Sequence, residues 1–141
     1  MTRYAPVRIL SGAALTAACA QVSFDLPGDV PMTGQTFGVL VAGGVLGPRE
    51  GALSQAVYLA ANAQRLSGPT GGFLLSFPLA AWATARFGVV AGSVVPFAIG
   101  VPWLARRLGP RGAVETGLIP FLPGAVVKGV AAAAVIRRLR R

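Results

Sequence analysis

The chain is 141 residues long and 54% hydrophobic, with 12% charged residues, 19 glycines and a formal net charge of +9. Soluble domains carry about 25% charged residues, and a soluble fold of this length could not hide so much apolar surface. Mean hydropathy of +0.66 therefore predicts an integral membrane protein, with no room for an extramembrane or ATP-hydrolysing domain.

A span needs about 20 apolar residues, so about six short helices fill the chain. The first apolar run is Val7 to Phe24, preceded by Arg3 and Arg8. Arg3, Arg8 and Ala18-Cys19-Ala20 resemble a signal peptide, but its removal would leave an odd number of spans, which favours a retained first helix. Asp25 to Pro31 reads as a loop, with two prolines and both aspartates. The second run, Thr36 to Leu46, is too short for the ~30 Å hydrocarbon core even when extended to Met32. It must be partly re-entrant or shielded by its neighbours.

Gly47-Pro48-Arg49-Glu50-Gly51 is a turn with Pro48 suited to a first helical position, and Ala52 to Ala63 is the third helix. Gln64 to Gly72 is a loop by its turn residues. Phe73 to Phe87 and Gly88 to Leu104 are the fourth and fifth spans, the latter bent by Pro96 and Pro102. Arg106 to Glu115 is polar, and Ala125 to Ile136 is the sixth helix. An even number of spans puts both termini on one side. Arginines 3, 8, 49, 86, 137, 138, 140 and 141 then share one side, against 65, 106, 107 and 111 on the other. The larger set belongs in the cytoplasm, with both termini. These cations cap apolar runs rather than forming a basic helix face, so nucleic acid is not a partner; the bilayer is.

The absence of His and a single cysteine, Cys19, remove His-based catalysis, His metal ligands and internal disulfides. With no paired intramembrane carboxylates either, an enzyme is disfavoured. Lys128 stands inside an apolar helix, where a cation costs roughly 2.5–3.5 kcal/mol on insertion scales. It is either a ligand for an anion, aided by the helix start at Pro123-Gly124, or a cation that snorkels to the surface. Thr33, Gln35, Thr36 and Asn62 either read a small polar ring or cap and join helices. Gly71 and Gly72 either let backbone approach a ligand or make a tight turn, and no Gly-Lys-Ser/Thr follows Gly68 to Gly72 to make a phosphate loop. The small pairs Ala13/Ala17 and Ala14/Ala18 serve internal packing or the docking of a partner.

Five stretches taken in order, LTAACAQ (15–21), PGDVPMTGQT (27–36), LVAGGVLGPREGALSQAVYL (40–59), GPTGGFLLSFPLAA (68–81) and PFLPGAVVKG (120–129), resemble the BioY family. Its members are the biotin-specific S components of energy-coupling factor transporters. The resemblance implies an all-α bundle of about six transmembrane helices in one membrane domain, residues 1–141. It implies biotin as a transported substrate, no cofactor, and location in a prokaryotic plasma membrane. It also implies a membrane coupling protein and ATPase subunits as partners, and allows a homo-oligomer. Lys128 would pair with the biotin carboxylate, while Thr33, Gln35 and the Thr70-Gly71-Gly72 turn would lie near the pocket mouth. The pairs at 13/17 and 14/18 would dock on the coupling protein. Two features depart from the family pattern. Ala125 stands where Asp is usual, and the glycine-rich loop before Gly68 is short, leaving Asn62 as a replacement ligand or an accident of the junction. A divergent S component for another small vitamin-like anion, or a structural homologue that binds nothing, is the alternative.

Overall fold

A computed structural model describes residues 5–21, 23–26, 30–67 and 71–139. Six helical columns alternate in direction: α1 (Ala5–Cys19), α2 (Gln35–Leu46), α3 (Pro48–Ala61), α4 with α5 (Gly71–Leu75 and Phe77–Phe87), α6 (Val89–Gly117) and α7 (Leu122–Leu139). Pro78 separates α4 from α5, because its missing N–H and its ring break the helical ladder at the turn before it. Among the described residues one helical stretch, Val89–Arg106, is long and apolar enough by itself to cross a membrane, and Ala5–Cys19 and Gln35–Leu46 are shorter apolar helices.

Small residues set the packing. A Cβ on Gly43 would lie 2.3 Å from the Ala81 carbonyl oxygen, and one on Gly38 2.8 Å from the Thr16 Cα. The backbones of α1, α2 and α5 thus approach as closely as glycine permits, which is the usual source of helix affinity in lipid. The short second run is resolved here: α2 is buried from Gly38 to Gly44, shielded by α1, α3, α5 and α7. It need not face lipid, so it need not be long.

These contacts fix which helix ends lie together. Arg8 reaches the Leu46 carbonyl, so the start of α1, the end of α2 and the start of α3 share one end with the end of α5, the start of α6 and the end of α7. Gly47 and Gly88 make the α2–α3 and α5–α6 turns there, with φ of 94° and 104°, conformations that side chains disfavour. Arg8, Arg49, Arg86, Arg137 and Arg138 all belong to this end, as the charge count predicted. Glu50, 8% exposed, has its Oε2 3.1 Å from Arg8 Nε, an ion pair not aligned as a hydrogen bond.

Three stretches add to or differ from the sequence expectation. Residues 25–26 and 30–31 of the stretch read as a loop belong to two short antiparallel strands, β1 (Ser23–Leu26) with β2 (Val30–Thr33), in which Phe24 opposes Met32. Four-residue strands, one of them containing Pro31, give too little alternation to be read as strands. The stretch 106–115, read only as polar, is helical, with a break at Gly109, where the following Pro110 disfavours the helical conformation. After the break Ala113 is buried against Leu104, with Phe121 packed on the pair. Of the predicted loop at 64–72, residues Ala63–Ser67 form a 3-10 turn and Gly71 opens α4.

Candidate functional site

The candidate ligand residues gather toward the arginine-poor end. On α7, Ala132 belongs to a cluster with Leu40 and Val41 of α2, and Ile136 fills the space beside Gly44. The two helices advance in parallel, since residues 132 and 136 meet 40 and 44. At 1.5 Å per residue, Lys128 then comes abreast of Thr36 and Phe37, on the half-buried inner face of α7. Lys128 has an interaction within the protein. The first turn of α2 is preceded by Gly34, which has no side chain to cap it. Its first N–H groups form the positive end of the helix dipole. A cation and a helix N-terminus therefore share one level, which favours an anion there.

Gln35 opens α2 and is buried. Its Nε2 donates to the hydroxyl of Tyr58 on α3. Asn62 caps the end of α3, with Nδ2 donating to the Tyr58 carbonyl at 2.9 Å. Thr33 pairs with Ser23 in the register of the two strands, one residue before α2, while Thr70 lies outside the described residues. Gly71 and Gly72 open α4 and pack tightly against protein. A Cβ on Gly71 would lie 2.0 Å from the Leu66 carbonyl oxygen, and one on Gly72 2.3 Å from Trp103 Cβ. Their smallness serves the seam between α4 and α6, so helix packing joins the two readings that the sequence left open.

Three groups went unremarked as site candidates. Tyr58, only 3% exposed, stacks on Phe77 at 6.2 Å and joins Gln35 to Asn62. Phe73 lies 6.3 Å from both Phe97 and Phe121, an aromatic cluster nearer the arginine-poor end than Lys128. Ser93 Oγ is buried without a hydrogen-bonding partner among the described residues, and lies 3.5 Å from where a Cβ on Gly129 would stand. None of these had a local sequence signal, since each depends on the pairing of separate helices.

The proposed docking alanines divide. Ala14, Ala17 and Ala18 are exposed on α1, in line with Val7 and Leu10. Ala13 corrects the sequence reading: it is buried in the cluster of Val39, Tyr58 and Phe77. A helix turns 100° per residue, and on α1 this carries Ala13 to the side packed on α2 and α3 while Ala14 stays exposed.

Comparison with known proteins agrees with the fold. The sequence model of the BioY family matches residues 2–66 and 60–141, two stretches that overlap where the shortened loop begins. The chain is 34% identical to a protein from Pyrococcus horikoshii named probable biotin transporter BioY, over 90% of each chain. It is 32% identical to the biotin transporter BioY of Thermotoga maritima, over 91% of this chain and 90% of that one. The fold matches the crystal structure of an S-component for biotin from an ECF-type ABC transporter. That match has a TM-score of 0.77 at 21% identity and covers 99% of this chain and 94% of the other. By sequence over nearly its whole length, and by fold, the chain belongs to the BioY family.

Proposed function

We propose that this chain is the biotin-capturing membrane subunit of a vitamin uptake system, open to its ligand at the arginine-poor, outward end. The observation that carries this reading is the level shared by Lys128 and the uncapped first turn of α2. Two sources of positive potential at mid-depth suit the carboxylate of a small acid held within the bundle. Gln35, Asn62 and Thr33 lie on the same side of that level, where the rest of the ligand would extend. The arginine-rich end then faces the cytoplasm with both termini, in a multi-pass protein of a prokaryotic plasma membrane.

The chain has no phosphate-binding loop and no enzymatic constellation, so uphill transport would draw on a separate coupling protein and its ATPases. Ala14, Ala17 and Ala18 on the outer face of α1 would serve as the docking surface, because small side chains let another helix come close. A second reading, another vitamin-like anion, is favoured by Ala125. This apolar residue lies on α7 about one turn before Lys128, where the family pattern has a carboxylate.

Equilibrium binding of labelled biotin to the purified protein in detergent tests the proposal, with Lys128→Ala alongside. Saturable binding that falls at least tenfold in the variant, roughly the worth of one charged contact, is the expected result. Undiminished binding would return Lys128 to a snorkelling role. Absence of binding by the folded parent would turn attention to the other anions.

A further inference from the structure

Two candidate ligand residues on different helices converge on one residue to which no role was assigned, one on its side chain and one on its backbone. Gln35 at the start of α2 donates its Nε2 proton to the Tyr58 hydroxyl, and Asn62 at the end of α3 donates to the Tyr58 carbonyl at 2.9 Å. The Tyr58 ring is 3% exposed and is stacked on Phe77 of α5 at 6.2 Å and 26° between planes. Phe77 is itself 2% exposed. The ring is held by three helices and cannot change rotamer without disturbing the core.

A buried glutamine amide has two planar faces and two ends that differ in hydrogen-bonding character. Left alone it could rotate about its last torsion, which is broad for such groups. A fixed phenol oxygen accepting from Nε2 selects one end of the amide, and so determines where Oε1 points. We infer that Tyr58 is a positioning residue for ligand recognition, orienting the Gln35 amide through its hydroxyl and holding the end of α3 through its carbonyl. This rests on the reading of Gln35 as a ligand contact and adds what makes that contact directional. Tyr58 itself need not touch the ligand.

The test is biotin binding to the full chain in detergent for the parent, Tyr58→Phe, Gln35→Ala and the double variant, with thermal melting of each. Tyr58→Phe keeps the ring and its stack on Phe77 and removes only the hydroxyl. The expected result is a loss of affinity of about fivefold to tenfold in each single variant, the scale of one hydrogen bond. The double variant should be no weaker than the weaker single, because both changes remove the same contact. The preference for biotin over its methyl ester should stay at the parental ratio in Tyr58→Phe, since the carboxylate lies at Lys128. A general loosening of the site would erode that preference as well.

Full affinity in Tyr58→Phe with a loss in Gln35→Ala would overturn the positioning role and leave Gln35 as a contact. Losses that multiply in the double variant, or an eroded ester preference, would also overturn it. Full affinity in Gln35→Ala would remove Gln35 from the site, and the role of Tyr58 with it, while the biotin reading stands on the parent. A folded parent that binds no biotin would defeat the functional reading itself. Should Tyr58→Phe melt far below the parent, Gln35→Glu provides the second measurement. Its carboxylate cannot donate to the phenol and would accept the phenol proton instead, which removes the oriented amide while the Tyr58 ring stays intact; affinity should fall, and full affinity there would overturn the proposal.

Discussion

Replacing Gly43 by Ala and, separately, Gly129 by Ala should move stability in opposite directions, although both sites lie inside helices and the added group is one methyl. At Gly43 the new Cβ would stand 2.3 Å from the Ala81 carbonyl oxygen and 2.8 Å from its Cα. Both obstacles are backbone, so no rotamer change relieves them and α2 must move away from α5. Overpacking of this kind costs about 1–3 kcal/mol or more, and the gain in helix propensity returns about 1 kcal/mol. With contacts this short the net loss is about 2 kcal/mol, or roughly 4–8 °C in melting temperature for a chain of this size. At Gly129 the nearest atoms would be Ser93 Oγ and Val89 Cγ1, both at 3.5 Å, an ordinary contact distance. Only the propensity gain remains, so Gly129→Ala should melt level with the parent or up to about 3 °C above it. Melting of purified protein in detergent, followed by tryptophan emission, reads both. A Gly43→Ala protein as stable as the parent, or a Gly129→Ala protein less stable than Gly43→Ala, would refute the view that backbone proximity at α2 organises the bundle.

Thr16→Val should lower the melting temperature by roughly 2–4 °C. It strips the Gln55 Oε1 of its 3.1 Å partner inside a fully buried seam, at a cost of about 1 kcal/mol; an unchanged melt would mean that the seam relaxes freely. Ala18→Leu should block co-purification with a coupling protein while leaving biotin affinity and melting intact, because residue 18 faces outward. Ala13→Leu should instead lower the melting temperature, because residue 13 is in the core. Equal behaviour of the two would contradict the division of the α1 face.

Much of the bundle was legible because hydropathy and charge record depth and sidedness directly. The arginines that cap runs in the sequence cap helix ends in the structure, and the chain breaks at 47–51 and 120–124 fall beside real helix starts. What escaped was whatever depends on neighbours. The second run looked too short for a span because its burial by four other helices has no local signature. The stretch 106–115 read only as polar because its polar residues outnumber the one that matters, Ala113, whose burial depends on Leu104 and Phe121. At the site, Lys128 was visible as a charge where none belongs, and Gln35 and Asn62 as polar residues beside apolar runs. Their link through Tyr58 needs the antiparallel register of α2 and α3, which no spacing in the sequence contains.

The seam of Thr16, Ser54 and Gln55 bears on how the chain enters its membrane. Gln55 Nε2 donates to Ser54 Oγ at 3.1 Å and Ser54 Oγ to the Gly51 carbonyl at 2.7 Å. Both of these bonds lie within α3, and only Gln55 Oε1, which accepts from Thr16 Oγ1 at 3.1 Å, waits for α1 to lie against α3. Before that, α3 would present the Gln55 amide oxygen to hydrocarbon, at a cost of up to several kcal/mol without a partner. Helix three is thus a poor candidate for independent insertion. The first three helices must commit to the bilayer nearly together, with α1 waiting in place as the template for a segment synthesised some forty residues later.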